Sequence, residues 1–161
     1  MAFRRPIFLF AIAGIAVFST LFASMSKFIW FQPSGVAYLE GSPIEESKPV
    51  TLYMPLGARE TLYLEVTYCN TEEVQLKVEE FSNDLQILTW DGNIIQPPYI
   101  GCEKANQDFR TFWKLEIISP NQTGNYGINF KITLRNWVLS QTYKYTLIVS
   151  AESSEKASFN G

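Results

Sequence analysis

Between residues 50 and 149 apolar side chains recur at every second position in one segment after another, and this period decides what the chain can fold into. In residues 61–69, Leu62, Leu64, Val66 and Tyr68 alternate with Tyr63, Glu65, Thr67 and Cys69. Val74, Leu76 and Val78 alternate with Gln75, Lys77 and Glu79. The rhythm returns at Trp113, Leu115 and Ile117, at Ile128, Phe130, Ile132 and Leu134, and at Tyr143, Tyr145, Leu147 and Val149. Successive side chains on a strand point to opposite faces, so each segment reads as a strand with one buried face in an antiparallel sheet. Residues 50–54 and 85–90 are weaker candidates, which makes about seven strands. Turns come from Pro55-Leu56-Gly57, Asp91-Gly92-Asn93, Pro97-Pro98 and the stretch from Ser119-Pro120-Asn121 to Gly124-Asn125, while Asn70-Thr71-Glu72-Glu73 has hairpin length. No helical stretch interrupts the series, which excludes alternating βαβ units and predicts an all-β, two-layer sandwich.

The first 31 residues are of another kind. Arg4 and Arg5 precede residues 6–23, an 18-residue run whose only polar members are Ser19 and Thr20. As a helix this run spans roughly 27 Å, close to a hydrocarbon core of about 30 Å. It serves either as a retained transmembrane anchor or as a secretory signal, cleaved after the small-residue pattern Ser24-Met25-Ser26 to leave a chain beginning at Lys27. Lys27 with Phe28, Trp30 and Phe31 makes the basic and aromatic collar of a membrane boundary, which favours retention. In both readings the positive-inside rule keeps Arg4 and Arg5 in the cytoplasm and sets the later residues outside, on a single-pass protein of the cell membrane or surface, or on a secreted one. The expected layout is a membrane segment over 1–31, a linker over 32–35, a sandwich over 36–150 and a polar tail over 151–161.

Met54-Pro55-Leu56-Gly57, the strand that ends at Cys69-Asn70, and Ser119 through Gly124-Asn125-Tyr126-Gly127 together resemble the immunoglobulin-like sandwiches of bacterial and archaeal cell-surface proteins. The resemblance implies one immunoglobulin-like antiparallel β-sandwich over 36–150. In that fold a G-x-Y element opens the next-to-last strand, so the Tyr126 hydroxyl is expected to bond back to backbone near the preceding corner. The chain departs from the antibody pattern, since Cys69 shares the parity of Glu65 and Thr67 and points away from the core.

Outside the cytoplasm two cysteines are expected to pair. A Cys69–Cys102 disulfide would tie a strand end to a loop over 97–107 and contribute about 3 to 4 kcal/mol by loop closure. Asn121-Gln122-Thr123 is an N-glycosylation sequon within a turn, which makes Asn121 the candidate modification site.

Several function classes are excluded or demoted. The chain has no His and two Cys, which removes Cys/His zinc sites, His-dependent triads and His general bases. Without residues 1–31, whose charges are Arg4, Arg5 and Lys27, it holds 10 basic against 16 acidic side chains, a poor partner for nucleic acid. Glu72-Glu73 and Glu79-Glu80 are neighbours along strands, so the members of each pair are expected on opposite faces, unable to converge on one atom. Asp91 and Asn93 lack the ligand pattern of a calcium loop, and the S-x-x-K match from Ser24 to Lys27 has no accompanying motif. No catalytic, metal or cofactor site is expected. Among the 24 aromatic residues, Tyr53 and Tyr63 fall on the outward parity of strands expected to be neighbours. With Phe28, Trp30 and Phe31 they form the candidate interface. The sequence thus reads as a non-enzymatic, membrane-anchored protein that engages lipid through its leading helix and a protein, envelope material or a second copy through its sandwich. One alternative is a filament subunit in which residues 27–40 complete the sandwich of the next copy by donor-strand complementation. Another is a small accessory subunit of a membrane complex, docked by the helix and residues 28–31.

Overall fold

Ten strands and no helix make up residues 31–153, which a computed structural model describes. The apolar run, Phe28, Trp30, the S-x-x-K stretch and most of the tail lie outside these residues, and so does the expected anchor. Among the described residues no helix is long and apolar enough to cross a membrane. The strands are β1 (Ser34–Leu39), β2 (Ser42–Pro43), β3 (Val50–Pro55), β4 (Arg59–Cys69), β5 (Glu73–Phe81), β6 (Gln86–Thr89), β7 (Tyr99–Lys104), β8 (Arg110–Ile118), β9 (Gly124–Arg135) and β10 (Ser140–Glu152). They form two five-stranded sheets, ordered β2-β1-β4-β8-β6 and β3-β10-β9-β5-β7. Every pairing is antiparallel except β3 with β10, where Val50 to Pro55 run parallel to Leu147 to Glu152.

The expected inward residues meet between the sheets. Leu62, Leu64, Val66 and Tyr68 of β4 and Trp113 and Ile117 of β8 face Val74, Leu76 and Val78 of β5 and Ile128, Phe130, Ile132 and Leu134 of β9, all buried. Burying one such side chain is worth roughly 1.5–3 kcal/mol, so this interface supplies most of the stability. The Phe130 and Tyr145 rings stack with centroids 5.4 Å apart. Burial pushes the Tyr145 phenol up to about 12, and the charges of Glu46 and Tyr143 add to the effect.

The structure corrects five expectations. The strand count is ten, because β1, β2 and β7 add to the seven read from the alternation. β1 starts inside the stretch expected as a linker, where Gly35 lets the backbone close on β4; a Cβ there would stand 2.5 Å from the Thr67 carbonyl oxygen and 2.7 Å from Leu134 Cδ1. β7 occupies the expected loop over 97–107, and β10 runs on to Glu152, inside the expected tail. The turn after Cys69 is an arch between sheets and no hairpin, since β4 and β5 belong to different sheets. From β5 to β8 the chain changes sheet at each connection.

Side chains finish the backbone bonding where a strand stops short. β3 reaches only to Leu147 along β10, and beyond it the Lys144 N–H donates to the Glu46 carboxylate at 2.7 Å. β1 ends at Leu39, and beyond it the Tyr63 N–H donates to the Glu40 carboxylate at 2.6 Å. Such caps remove donors that would template pairing with another chain.

Two outcomes follow from this packing. Gly35→Ala should lower stability by about 1–3 kcal/mol through overpacking. Gly127→Ala, where an added Cβ meets nothing within 4 Å, should stay within about 0.5 kcal/mol of the parent, as urea titrations of the two variants will read. The folded chain also keeps the Tyr145 proton at pH values where the unfolded chain releases it. Stability is therefore whole below the ordinary tyrosine value of 10.0 and falls as pH rises from there towards about 12, a decline that Tyr145→Phe should flatten in denaturation curves taken at successive pH values.

Candidate functional site

The outward side chains of β1, β4 and β8 build an apolar surface on the first sheet. Register sets Tyr38 opposite Glu65 and Glu65 opposite Phe112, so two aromatic residues flank one carboxylate across three strands. Tyr63 stands opposite Lys114, one diagonal step from Phe112, and Val36 stands opposite Thr67. Diagonal neighbours lie roughly 7–8 Å apart, within reach of aromatic side chains. Phe112 is 55 % exposed, Tyr63 51 % and Val36 45 %. Polar groups rim the surface: the Arg110 guanidinium lies 3.9 Å from the Glu65 carboxylate, and Lys114 is exposed. Rings on rigid strands, bordered by charges, make an arrangement suited to contact with another macromolecule.

The outer face of the second sheet is different. The Thr133 and Thr142 hydroxyls share a hydrogen bond of 3.0 Å, the Thr146 hydroxyl donates to Asn129 Oδ1 at 2.9 Å, and Asn129 Nδ2 donates to Glu80 at 2.9 Å. Lys77, Lys131 and Lys144 form one row across β5, β9 and β10, and Glu79 lies 2.6 Å from the Lys131 ammonium and 3.6 Å from that of Lys77. The hydrogen bond from Lys131 holds the Glu79 carboxyl below the usual carboxylate range. Glu79 and Glu80 thus both engage side chains of this outer face, contrary to the expected opposition. A bulge between Val78 and Glu80 inserts one residue and breaks the alternation there.

Tyr53 and Tyr63 are both exposed, as their parity implies, yet they make no common patch. Tyr53 lies on β3 of the second sheet and Tyr63 on β4 of the first, so their outward faces are those of opposite layers. Phe31 is exposed as well. Phe112 is the residue that sequence reasoning missed. Its signal was present, since it alternates with Trp113, but it precedes the segment read as a strand.

Cys69 and Cys102 are exposed and unbonded in this structure, which does not show the expected bridge. Cys69 shares the outward parity of β4, whereas Cys102, opposite Gln75, shares that of β7 in the other sheet. Gln75 Nε2 donates to Cys102 Sγ at 3.4 Å. Asp91 accepts from the Thr89 hydroxyl and, at 2.6 Å, from Asn93 Nδ2, so its oxygens serve the turn after β6; the Thr89 bond foremost holds its carboxyl below the usual range. Asn121 is exposed in the turn between β8 and β9, beside Gly57. The Tyr126 hydroxyl donates to the Gln122 carbonyl at 3.0 Å, the bond back to the preceding corner that the immunoglobulin-like resemblance implies.

No family model matches the chain, and no curated protein matches it. Solved structures do. The chain is similar to the major subunit of aggregative adherence fimbriae type I from Escherichia coli, at 10 % identity over 75 % of this chain and 96 % of that one, with a TM-score of 0.44. It is similar to a non-cellulosomal cohesin from the archaeon Archaeoglobus fulgidus, at 10 % identity over 80 % and 96 %, TM-score 0.45. An ASH/PapD-like domain of human CEP192 aligns at 11 % identity over 73 % and 86 %, TM-score 0.41. These likenesses concern the sandwich and leave function to the residues.

The thiols offer a direct check. Both Cys69 and Cys102 should react with maleimide in the folded full chain without reductant, giving two adducts by intact mass; no adduct would restore the bridge.

Proposed function

We propose that this chain is a membrane-anchored, non-enzymatic binding protein, whose sandwich stands outside the membrane and engages a protein partner through the outer face of its first sheet. The observation that carries this reading is the contrast between the two faces. One groups Val36, Tyr38, Tyr63 and Phe112 across its three neighbouring strands, while the central strands of the other are tied up in a ladder of amide, hydroxyl and ion-pair contacts that leaves Tyr53 and Ile100 apart on its two edge strands. Aromatic residues with a charged border are the usual composition of interface centres, and a few such residues carry most of the binding energy. The apolar run over 6–23, with Arg4 and Arg5 before it, supports the anchor and the orientation.

The filament alternative needs the segment after the leading run to be free. Instead, Ser34 to Leu39 pair residue for residue with β4 of the same chain, and β10 closes the second sheet against β9. That in-chain pairing weighs against donor-strand exchange.

A photo-crosslinking residue placed at Phe112 of the full chain in its native membrane should yield one protein adduct, and the same probe at Lys144 should yield none. With that partner in hand, Tyr63→Ala should weaken binding by about 2 kcal/mol, the hot-spot range, with little change in stability. Equal adducts from both positions would refute the assignment of the face.

A further inference from the structure

Three connections of the sandwich meet at one end. Glu72 N–H donates to the Arg135 carbonyl at 2.8 Å, Ala105 N–H to the Glu72 carbonyl at 2.8 Å, and Tyr68 N–H to the Phe109 carbonyl at 2.9 Å. Asn136 Nδ2 donates to the Asn70 carbonyl at 3.0 Å. The loops over 70–72, 105–109 and 136–139 are thereby laced together. They carry Trp137, 79 % exposed, Phe109, 61 %, and Val138, 44 %. At the other end, the connections over 56–58, 82–85 and 119–123 hold no exposed large hydrophobic residue among the described residues, and they present Asn83, Asp84, Asn121 and Gln122 instead.

The apolar loops are also held in place. In the 105–109 loop the Asn106 N–H donates to the buried Tyr68 hydroxyl at 2.9 Å, Asn106 Nδ2 donates to the Arg110 carbonyl at 2.7 Å, and Asn106 Oδ1 accepts from Asp108 N–H at 3.1 Å. In the 136–139 turn Asn136 Oδ1 accepts from the N–H groups of Val138, at 3.0 Å, and Leu139, at 2.7 Å. Presenting Trp137 and Phe109 to solvent therefore demands no further ordering of the backbone when they meet a partner.

The chain outside the sandwich identifies that partner. β1 opens with Ser34 opposite Cys69, at this same end, and Pro33 is fully buried. Everything before residue 33 is thus covalently joined here, including Phe28, Trp30 and the apolar run that ends at Ala23. Nine residues lie between Ala23 and Pro33, and the ten steps from one to the other reach at most about 36 Å when fully extended and about 15 Å as a helix. We infer that this end of the sandwich rests in the interfacial layer of the bilayer, with Trp137, Val138 and Phe109 as its contact residues. The inference builds on the anchored reading proposed above. Trp favours the headgroup level, where its ring is shielded from water and its N–H stays wet. Lys104, Arg110 and Arg135 near this end are offset by Glu72, Glu73, Glu103 and Asp108, so the contact runs on apolar side chains and needs no anionic lipid.

The test uses the full chain in phosphatidylcholine vesicles with and without brominated acyl chains, which quench tryptophan at contact. Subtracting the spectrum of Trp137→Phe from that of the parent isolates Trp137. Tyr53→Trp reports the remote half of the sandwich, since residue 53 pairs with Ser150, roughly 33 Å along β10 from Ser140. Val138→Trp in the Trp137→Phe background repeats the measurement with an independent variant. The expected result is a chain that floats with the vesicles, with the emission of Trp137 and of the Trp at 138 blue-shifted and quenched by bromolipid and that of the Trp at 53 unaffected. Floating chain with Trp137 unquenched would overturn the inference and leave the anchor standing, as would equal quenching of positions 137 and 53. A chain that fails to float would refute the anchored reading and this inference with it.

Discussion

Everything in this molecule depends on the burial of two sets of alternating side chains against each other. Leu76, Val74, Leu134 and Val149 reach full burial only because the sheet that carries β5, β9 and β10 has another sheet laid across it. Neither sheet has an apolar partner of its own, since each is one strand thick and wet on its outer side. Once the two inner faces are committed to each other, the outer faces, the edges and the ends become surfaces with separate chemistry.

Those surfaces are used differently. The second sheet ties up the centre of its outer face with hydrogen bonds and ion pairs among Thr133, Thr142, Asn129, Glu80, Lys131 and Glu79, leaving Tyr53 and Ile100 exposed on its edge strands. The first sheet leaves rings exposed on the same rigid framework. Two donors left where a neighbouring strand stops short are taken by Glu40 and Glu46, and β1 is paired within its own chain. Contact through side chains on a finished sheet is the mode that this construction favours.

The ends differ in the same way. The loops that flank the point where the chain enters carry Trp137 and Phe109 on well-bonded turns, and the opposite loops are polar. The aromatic end is the end from which the apolar leading segment departs in sequence. On the anchored reading proposed above, the face of the first sheet is the one left for a protein partner.

Much of this was legible in the order of residues. The period of two located β4, β5, β8, β9 and β10 but not β1, whose Ala37 is buried in the core; it named the inward residues of β4, β5 and β9 and marked Tyr53 and Tyr63 as outward, because side-chain direction along a strand is a local property of the backbone. The Tyr126 bond to its corner was legible for the same reason, as its partner Gln122 is four residues away. What could not be read was which sheet each strand joins. That is settled by contacts between residues far apart in sequence, and it decided that Tyr53 and Tyr63 face opposite ways, that Cys69 and Cys102 sit on strands of different sheets, and that Phe112 rather than Tyr53 stands beside Tyr63. Gly35 shows the limit most plainly: its composition suggests a linker, and only the approach of Thr67 and Leu134 turns it into a strand. The sequence alone determined the period, the layer count and the faces; the tertiary structure alone decided the neighbours, because adjacency in a sandwich is created by burial across the chain and leaves no periodic trace along it.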